Sequence, residues 1–158
     1  MLIEDKELTI YEVLERNYIN NPSKNFILYH DTAITYEETY KLSNGFAEFL
    51  LISGIRKGDK VCFLLPRIPE LILSFLGLIK AGAIPVPVNY TLGKREIMSF
   101  ISRVSPSAII INDKLLTTLD PEILARKSLK IIITGKESYG YIPWNRACYL
   151  SNKKIENK

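Results

Sequence analysis

Residues 61–88 read VCFLLPRIPELILSFLGLIKAGAIPVPV. Val61 to Leu65 is an unbroken apolar run, so a strand here has no face left for water. Strands covered on both faces belong to parallel sheets. Pro66 stops the run. Pro69-Glu70 then opens a helix, because proline fits the first turn and a carboxylate favours the positive end of the dipole. That helix, to about Ala81, is apolar nearly all round and must be buried against the sheet and a second layer. Gly77 lets another backbone come close, and Gly82 caps the helix. Ile84 to Val88 is extended, but Pro85 and Pro87 remove two ladder donors, so this strand is short, kinked or at an edge. Between Leu71 and Val88 only Ser74 and Lys80 are clearly polar. A membrane-spanning helix needs about 20 unbroken apolar residues, and Gly82, Pro85 and Pro87 break this one, so no span is expected.

Downstream, Lys94 to Arg103 reads as a helix with Ile97, Met98 and Ile101 inward and Thr91 as its cap. Ala108 to Ile111 is a second unbroken apolar strand. A broken helix around Pro121 and a strand from Leu129 to Ile133 follow. The order β-α-β-α-β-α-β predicts a mostly parallel sheet with helices on both faces and right-handed crossovers. After Gly135 the pattern weakens, and the aromatic, turn-rich Tyr139–Trp144 reads as a docking loop. Upstream, Thr9-Ile10-Tyr11-Glu12 and Thr35-Tyr36-Glu37-Glu38 both have capping-box spacing. They predict helices over 10–20 and from Tyr36 to about Ser53. The second has a core stripe of Tyr36, Thr39, Leu42, Phe46, Phe49 and Leu50, and Gly54 ends it. Between them, Phe26–Tyr29 and Ala33–Thr35 read as a β-hairpin turning at His30-Asp31-Thr32. The expected fold class is therefore α/β, with a helix and a β-hairpin ahead of the mostly parallel sheet.

The chain has 158 residues, 47% apolar and 24% charged, with a formal net charge of +4. Disordered and collagen-like chains are excluded by that composition. The one cationic cluster, Lys153, Lys154 and Lys158, lies in a polar tail, so no nucleic-acid partner is expected. Cys62 and Cys148 are the only cysteines and His30 the only histidine. A zinc site and a disulfide framework are therefore both disfavoured, and a reducing cytoplasm is the default setting. Cys62 reads as a small buried hydrophobe. The start, Met1 to Lys6, is acidic and lacks a signal peptide's apolar core.

Parallel sheets bind ligands at the carboxyl ends of their strands. Three segments lie there: Pro66-Arg67-Ile68, Asn89-Tyr90-Thr91 and Asn112-Asp113-Lys114. Taken by themselves they read as ordinary loops with helix caps. No GxGxxG, GxxxxGK[ST] or GxSxG motif is present. His30 has no serine or cysteine at a spacing that nominates a partner, and reads as an exposed turn residue. No catalytic residue and no metal site are nominated.

Four blocks nevertheless resemble one family. Ile34-Thr35-Tyr36-Glu37-Glu38 followed by Leu42-Ser43-Asn44 is similar to the TYxEL…LSNRLA opening of adenylate-forming enzymes. Gly54–Val61 resembles their GVxKGDRV segment, Leu65–Glu70 their LPNSPE, and Lys80–Asn89 their KAGAVxVPxNP. The blocks keep the family's order and spacing over about Leu8 to Ile133. The family includes acyl-CoA synthetases, aryl-CoA ligases, luciferases and the adenylation domains of peptide synthetases. What the resemblance implies is ATP-dependent activation of a carboxylate to an acyl-adenylate, assisted by magnesium. Transfer to the thiol of CoA or of a carrier protein follows. It also implies Asn89, Tyr90 and Lys114 as contacts at the rim of a CoA channel.

The family's Ser/Thr/Gly-rich phosphate loop, adenine and ribose motifs and catalytic lysine do not occur in residues 134–158; Thr134-Gly135-Lys136-Glu137-Ser138 lacks the glycine series and the Pro-Lys. The chain is thus expected to be an N-terminal fragment, inactive alone. Residues 1–134 would form the family's N-terminal α/β subdomain, and 135–158 an irregular segment and polar tail. ATP, magnesium and CoA are expected for the complete enzyme and none for this chain. A non-catalytic interaction module that keeps the fold without the chemistry is the alternative. A subdomain cut from a larger enzyme should also leave exposed apolar surface and self-associate.

Overall fold

The computed structural model describes residues 8–126, 128–136 and 140–149. Met1–Lys6, Tyr139 and the tail lysines Lys153, Lys154 and Lys158 lie outside them. Helix α1 (Ile10–Asn20) leads into the hairpin β1 (Asn25–Tyr29) and β2 (Thr32–Thr35), and then into helix α2 (Tyr36–Ile52). The α/β unit follows: β3 (Lys60–Leu64), α3 (Pro69–Lys80), β4 (Ile84–Pro87), α4 (Lys94–Val104) and β5 (Ala108–Asn112). A 3-10 helix (Asp113–Thr118), α5 (Pro121–Leu124), β6 (Lys130–Thr134), β7 (Ile142–Pro143) and α6 (Trp144–Tyr149) complete it. Residues 142–149, part of the stretch expected to be irregular, are thus a short strand and a helix.

The capping boxes form as their spacing requires. Thr9 and Thr35 each accept a backbone N–H from the glutamate three residues on, and that glutamate's carboxylate accepts the threonine's N–H at 2.8 Å. At α4 the cap is not Thr91. Gly93 takes the N-cap position, its N–H donating to the Glu96 carboxylate at 2.9 Å. Thr91 instead donates both its N–H and its hydroxyl to Asn89 Oδ1, at 3.0 and 2.8 Å. With Gly93 at the N-cap, Thr91 stands two residues outside the helix and its side chain closes the turn with Asn89 instead.

The five-stranded sheet has the order β4-β3-β5-β6-β7 with every pair parallel. The chain passes from β3 to β4 on one side, then returns across β3 to place β5 on the other. Strand order therefore reverses between β3 and β5. The central strands have no solvent face. Val61, Phe63, Leu65, Ala108, Ile110 and Ile132 join the core beneath α2, α3 and α6. Cys62, Leu64, Ile109, Ile111, Ile131 and Ile133 join a second core with Ile97, Ile101, Leu119 and Ile123. Alternation along each strand thus divides the apolar run between two helical layers.

Both sheet edges carry proline. On β4, the Ile84 N–H donates to Asp59 O at 2.8 Å and the Val88 N–H to Phe63 O at 3.1 Å, both toward the β3 side. By alternation the nitrogens of residues 85 and 87 face outward, and both are prolines with no hydrogen to offer. This edge presents acceptors but no donors, which closes it to a further strand. At the other edge β7 is two residues long and ends in Pro143.

Helices α2 and α3 meet at Gly77. A Cβ there would lie 2.9 Å from the Ser43 carbonyl oxygen and 2.9 Å from Phe46 Cδ1. On α2, Ser43 turns its hydroxyl back to Thr39 O at 2.7 Å, so this face stays flat enough for the approach. Replacing Gly77 with alanine returns about 1 kcal/mol of helix propensity but overpacks a contact, at about 1–3 kcal/mol. The ring can shift; the carbonyl is held by its helix. We expect Gly77→Ala to be net destabilising by about 1 kcal/mol in urea unfolding, and Gly77→Val more so.

The cysteines sit one in each core and are fully buried and free. Burial pushes the Cys62 thiol up to about 11. It raises Cys148 further, with the nearby Glu70 charge adding to the effect. At pH 8 the thiolate of Cys62 is therefore about one part in a thousand. Iodoacetamide should leave both thiols of the native chain unlabelled over an hour and modify both in urea, as read by intact mass.

Candidate active-site cleft

A cleft of about 480 Å³ opens at the carboxyl end of the sheet. The reversal of strand order between β3 and β5 puts it there. At such a point the chain leaves adjacent strands in opposite directions, and no crossover fills the gap. Ile68, Pro69, Glu70 and Leu73, from the β3–α3 connection and α3, form one side. Asn112 and Gly135, at the ends of β5 and β6, form the base. Tyr29, Thr32 and Ile34 of the hairpin and Leu42 of α2 stand opposite, with Trp144 of α6 in the floor.

Two of the polar groups around it, Asn112 and Trp144, are engaged with neighbours. Asn112 donates from Nδ2 to Thr134 Oγ1 at 3.2 Å, bracing the end of β5 to that of β6. Its Oδ1 accepts the Lys114 N–H at 3.3 Å and so starts the 3-10 helix. Gly135 holds φ at +92°, and a Cβ there would run into the Asp113 carboxylate. The Asp113 side chain could swing aside, but the positive φ itself favours glycine here. The Trp144 indole N–H donates to Ser74 Oγ at 2.7 Å, and its ring lies 5.7 Å from that of Phe46. Trp144 is thereby fixed with one edge toward the cleft.

The residues nominated by resemblance are dispersed. Asn89, Tyr90 and Lys114 do not line the cleft. The Asn89 side chain is spent on the turn it makes with Thr91. Lys114 is exposed on the 3-10 helix, and Tyr90 is half-buried beyond β4. His30 occupies the hairpin turn, exposed, at a φ of 49°, with its ring 4.3 Å from that of Tyr29. Of the three strand-end segments, the first and third contribute to the cleft through Ile68 and Asn112. Trp144 and the hairpin residues carry no sequence signal for this role, because they are brought in from distant elements by tertiary packing.

Electrostatics limit what the cleft can take. Glu70 is the one charged side chain among the described residues that line it. A triphosphate placed here would meet a carboxylate and no cation, which is unfavourable. Among the described residues there is also no group of three His, Cys, Asp or Glu side chains able to hold a metal ion. Among the described residues the cleft thus offers phosphate no cationic side chain. Its Ile34, Leu42, Ile68, Leu73 and Trp144 suit an apolar group with a few polar contacts at the ends.

Comparison with known proteins agrees with this architecture. The chain is 27% identical over 150 residues to a long-chain-fatty-acid–CoA ligase of Bacillus subtilis, covering 92% of this chain and 26% of that one. It is 26% identical over 144 residues to a dimodular nonribosomal peptide synthase of the same organism, covering 90% of this chain and 6% of the other. Among solved structures it superposes on the anthranilate CoA ligase AuaEII, bound to anthranoyl-AMP, with a TM-score of 0.82. That match has 24% identity and covers 94% of this chain and 29% of the other. The chain thus spans about a quarter of the length of the curated CoA ligase it matches. A family model described as AMP-binding enzyme matches residues 14–147. On that match, with the parallel sheet of adenylate-forming ligases beneath it, the chain belongs to the AMP-binding enzyme family.

Proposed function

We propose that this chain is the N-terminal section of an ATP-dependent ligase that activates a carboxylic acid and passes the acyl group to a thiol, of CoA or of a carrier protein. The observation that carries this is the family match over residues 14–147, on a sheet whose strand order reverses beside an apolar cleft. The relatives' names support it: one is a fatty-acid–CoA ligase, another a peptide synthase. In this reading the cleft contributes an apolar wall to the working site. Asn89, Tyr90 and Lys114 belong to a thiol channel whose other side lies elsewhere in the enzyme. ATP and magnesium are held by groups this chain does not supply, because the cleft offers phosphate no cation. The free, buried cysteines suit a reducing cytoplasm. The alternative, a binding module without chemistry, draws its support from the same absence of a phosphate-binding cation.

By itself the 158-residue chain should give no ATP–pyrophosphate exchange with acetate, octanoate, palmitate, benzoate or the common amino acids. Exchange above blank would overturn its proposed inactivity. The reading frame past Lys158 separates the two functions. A Ser/Thr/Gly-rich loop running into Pro-Lys supports the ligase, and a stop codon supports the module.

We also propose that the isolated chain self-associates. Ile10, Ile19, Leu28 and Ile52 are each more than half exposed, and such apolar surface favours association. The proline-bearing edges direct that association to side-chain faces rather than to strand pairing. Sedimentation should show concentration-dependent dimers or larger species. A single monomer boundary at all concentrations would refute this.

A further inference from the structure

We propose that the groove between β4 and α4 is a second binding site, which takes a small organic anion with a short apolar body. Its charged end lies at the amino end of the sheet, whereas the cleft opens at the carboxyl end. The site does not depend on the ligase reading.

The groove has a volume of about 430 Å³ and is lined by Lys60, Ile84, Val86, Phe100, Arg103 and Val104. Pairing and alternation bring these side chains together. Lys60 is paired with Ile84, and Cys62 with Val86. By alternation Lys60 shares the face of Cys62 and Leu64, which pack in one core with Ile97 and Ile101 of α4. On α4, Phe100, Arg103 and Val104 stand at i, i+3 and i+4 and form one stripe. Phe100, Val104 and Val86 are only partly covered at the margin of that core. The Ser107 N–H donates to Lys60 O at 2.9 Å, which brings the turn after α4 to the start of β3. Lys60 at the start of β3 and Arg103 in the last turn of α4 therefore stand at the same end. The apolar floor runs away from them along β4.

Both cations are exposed, and among the described residues neither has an ion-pair partner. No acid lines the groove among those residues. The nearest acids in sequence are committed elsewhere. The Asp59 carboxylate accepts the Arg56 N–H at 2.8 Å, and that of Glu96 accepts the Gly93 N–H at 2.9 Å. Two uncompensated cations beside an apolar floor attract an anion that also has apolar surface to bury. The edge decides what kind of anion. Pro85 and Pro87 close it to a peptide strand. From Ile84 to Val86 the floor is about 7 Å long, less than two helical turns and about the length of a six-carbon chain. A docked helix would therefore overhang it, whereas the volume is that of a small-molecule site. The head sits between Lys60 and Arg103, where the arginine fork suits a carboxylate or a phosphate.

The test titrates octanoate and octyl phosphate separately into the isotope-labelled 158-residue chain and follows amide chemical shifts. Saturable shifts are expected at Lys60, Ile84, Val86, Phe100, Arg103 and Val104, and the tighter of the two probes identifies the head. Octanol has the same body without the charge. It should bind about tenfold more weakly, the loss expected for one hydrogen bond to a charged group. Lys60→Gln combined with Arg103→Gln removes both cations from exposed positions. It should weaken the anions by at least about tenfold and leave octanol unchanged. The dispersion of the remaining amide signals reports that the variant is folded; if it is not, the octanol comparison on the unmodified chain decides alone. Three results overturn the site: no shift at these residues up to about 20 mM of either anion, octanol binding as tightly as the anions, or a folded double variant that binds them undiminished. Shifts confined to Ile68, Leu73 and Gly135 of the cleft overturn it too. No readout involves ATP or a thiol, so this site and the ligase function can fail separately.

Discussion

Strand β3 has to be covered on both faces. Val61, Cys62, Phe63 and Leu64 are all buried, alternately toward one helical layer and the other. Leaving either face wet would expose two or more large side chains, at about 1.5–3 kcal/mol each. The chain must therefore place helices on both sides of one sheet. With right-handed crossovers it can do so only by leaving β3 in one direction and returning past it in the other. The reversal beside β3, the cleft at its carboxyl end and the position of Asn112 at the cleft's base all follow from that one demand.

The second layer depends on a single missing side chain. Helices α2 and α3 approach closely because Gly77 has no Cβ to meet the Ser43 carbonyl. That approach sets where α3 begins, and so where Ile68, Pro69 and Glu70 border the cleft. It also sets the height at which Trp144, bonded to Ser74 on α3, enters from α6. A cleft formed this way is apolar with one carboxylate. Its chemistry matches the holding of an organic group far better than the gripping of phosphate.

Much of the fold was legible before any coordinates. The unbroken run 61–65, the capping threonines at 9 and 35, and the proline pair in 84–88 each act through local geometry. Each was found where its spacing placed it. Reading failed where a local rule had a local competitor. Thr91 was free to cap α4 but turned back to Asn89, and Gly93 took its place. Residues 142–149 were opaque for a different reason. A two-residue strand and a six-residue helix have no period long enough to read, and they exist because β6 and α2 offer them surfaces.

The candidate site was legible only in part. Asn112 and Ile68 lie at strand ends, which the α/β pattern marks as ligand-facing. The hairpin residues and Trp144 carry no such mark. By itself the sequence determined the α/β class, the two-layered burial of the strands and the resemblance to acid-activating ligases. These rest on residue type and on spacing within a few turns. Only the tertiary structure decided which side of β3 receives β5, that both sheet edges end in proline, and that Tyr29, Ile34 and Trp144 share one cavity with Asn112. Those relations join residues scores of positions apart. They arise from close packing of buried faces, a property of the assembled chain that no stretch of it carries alone.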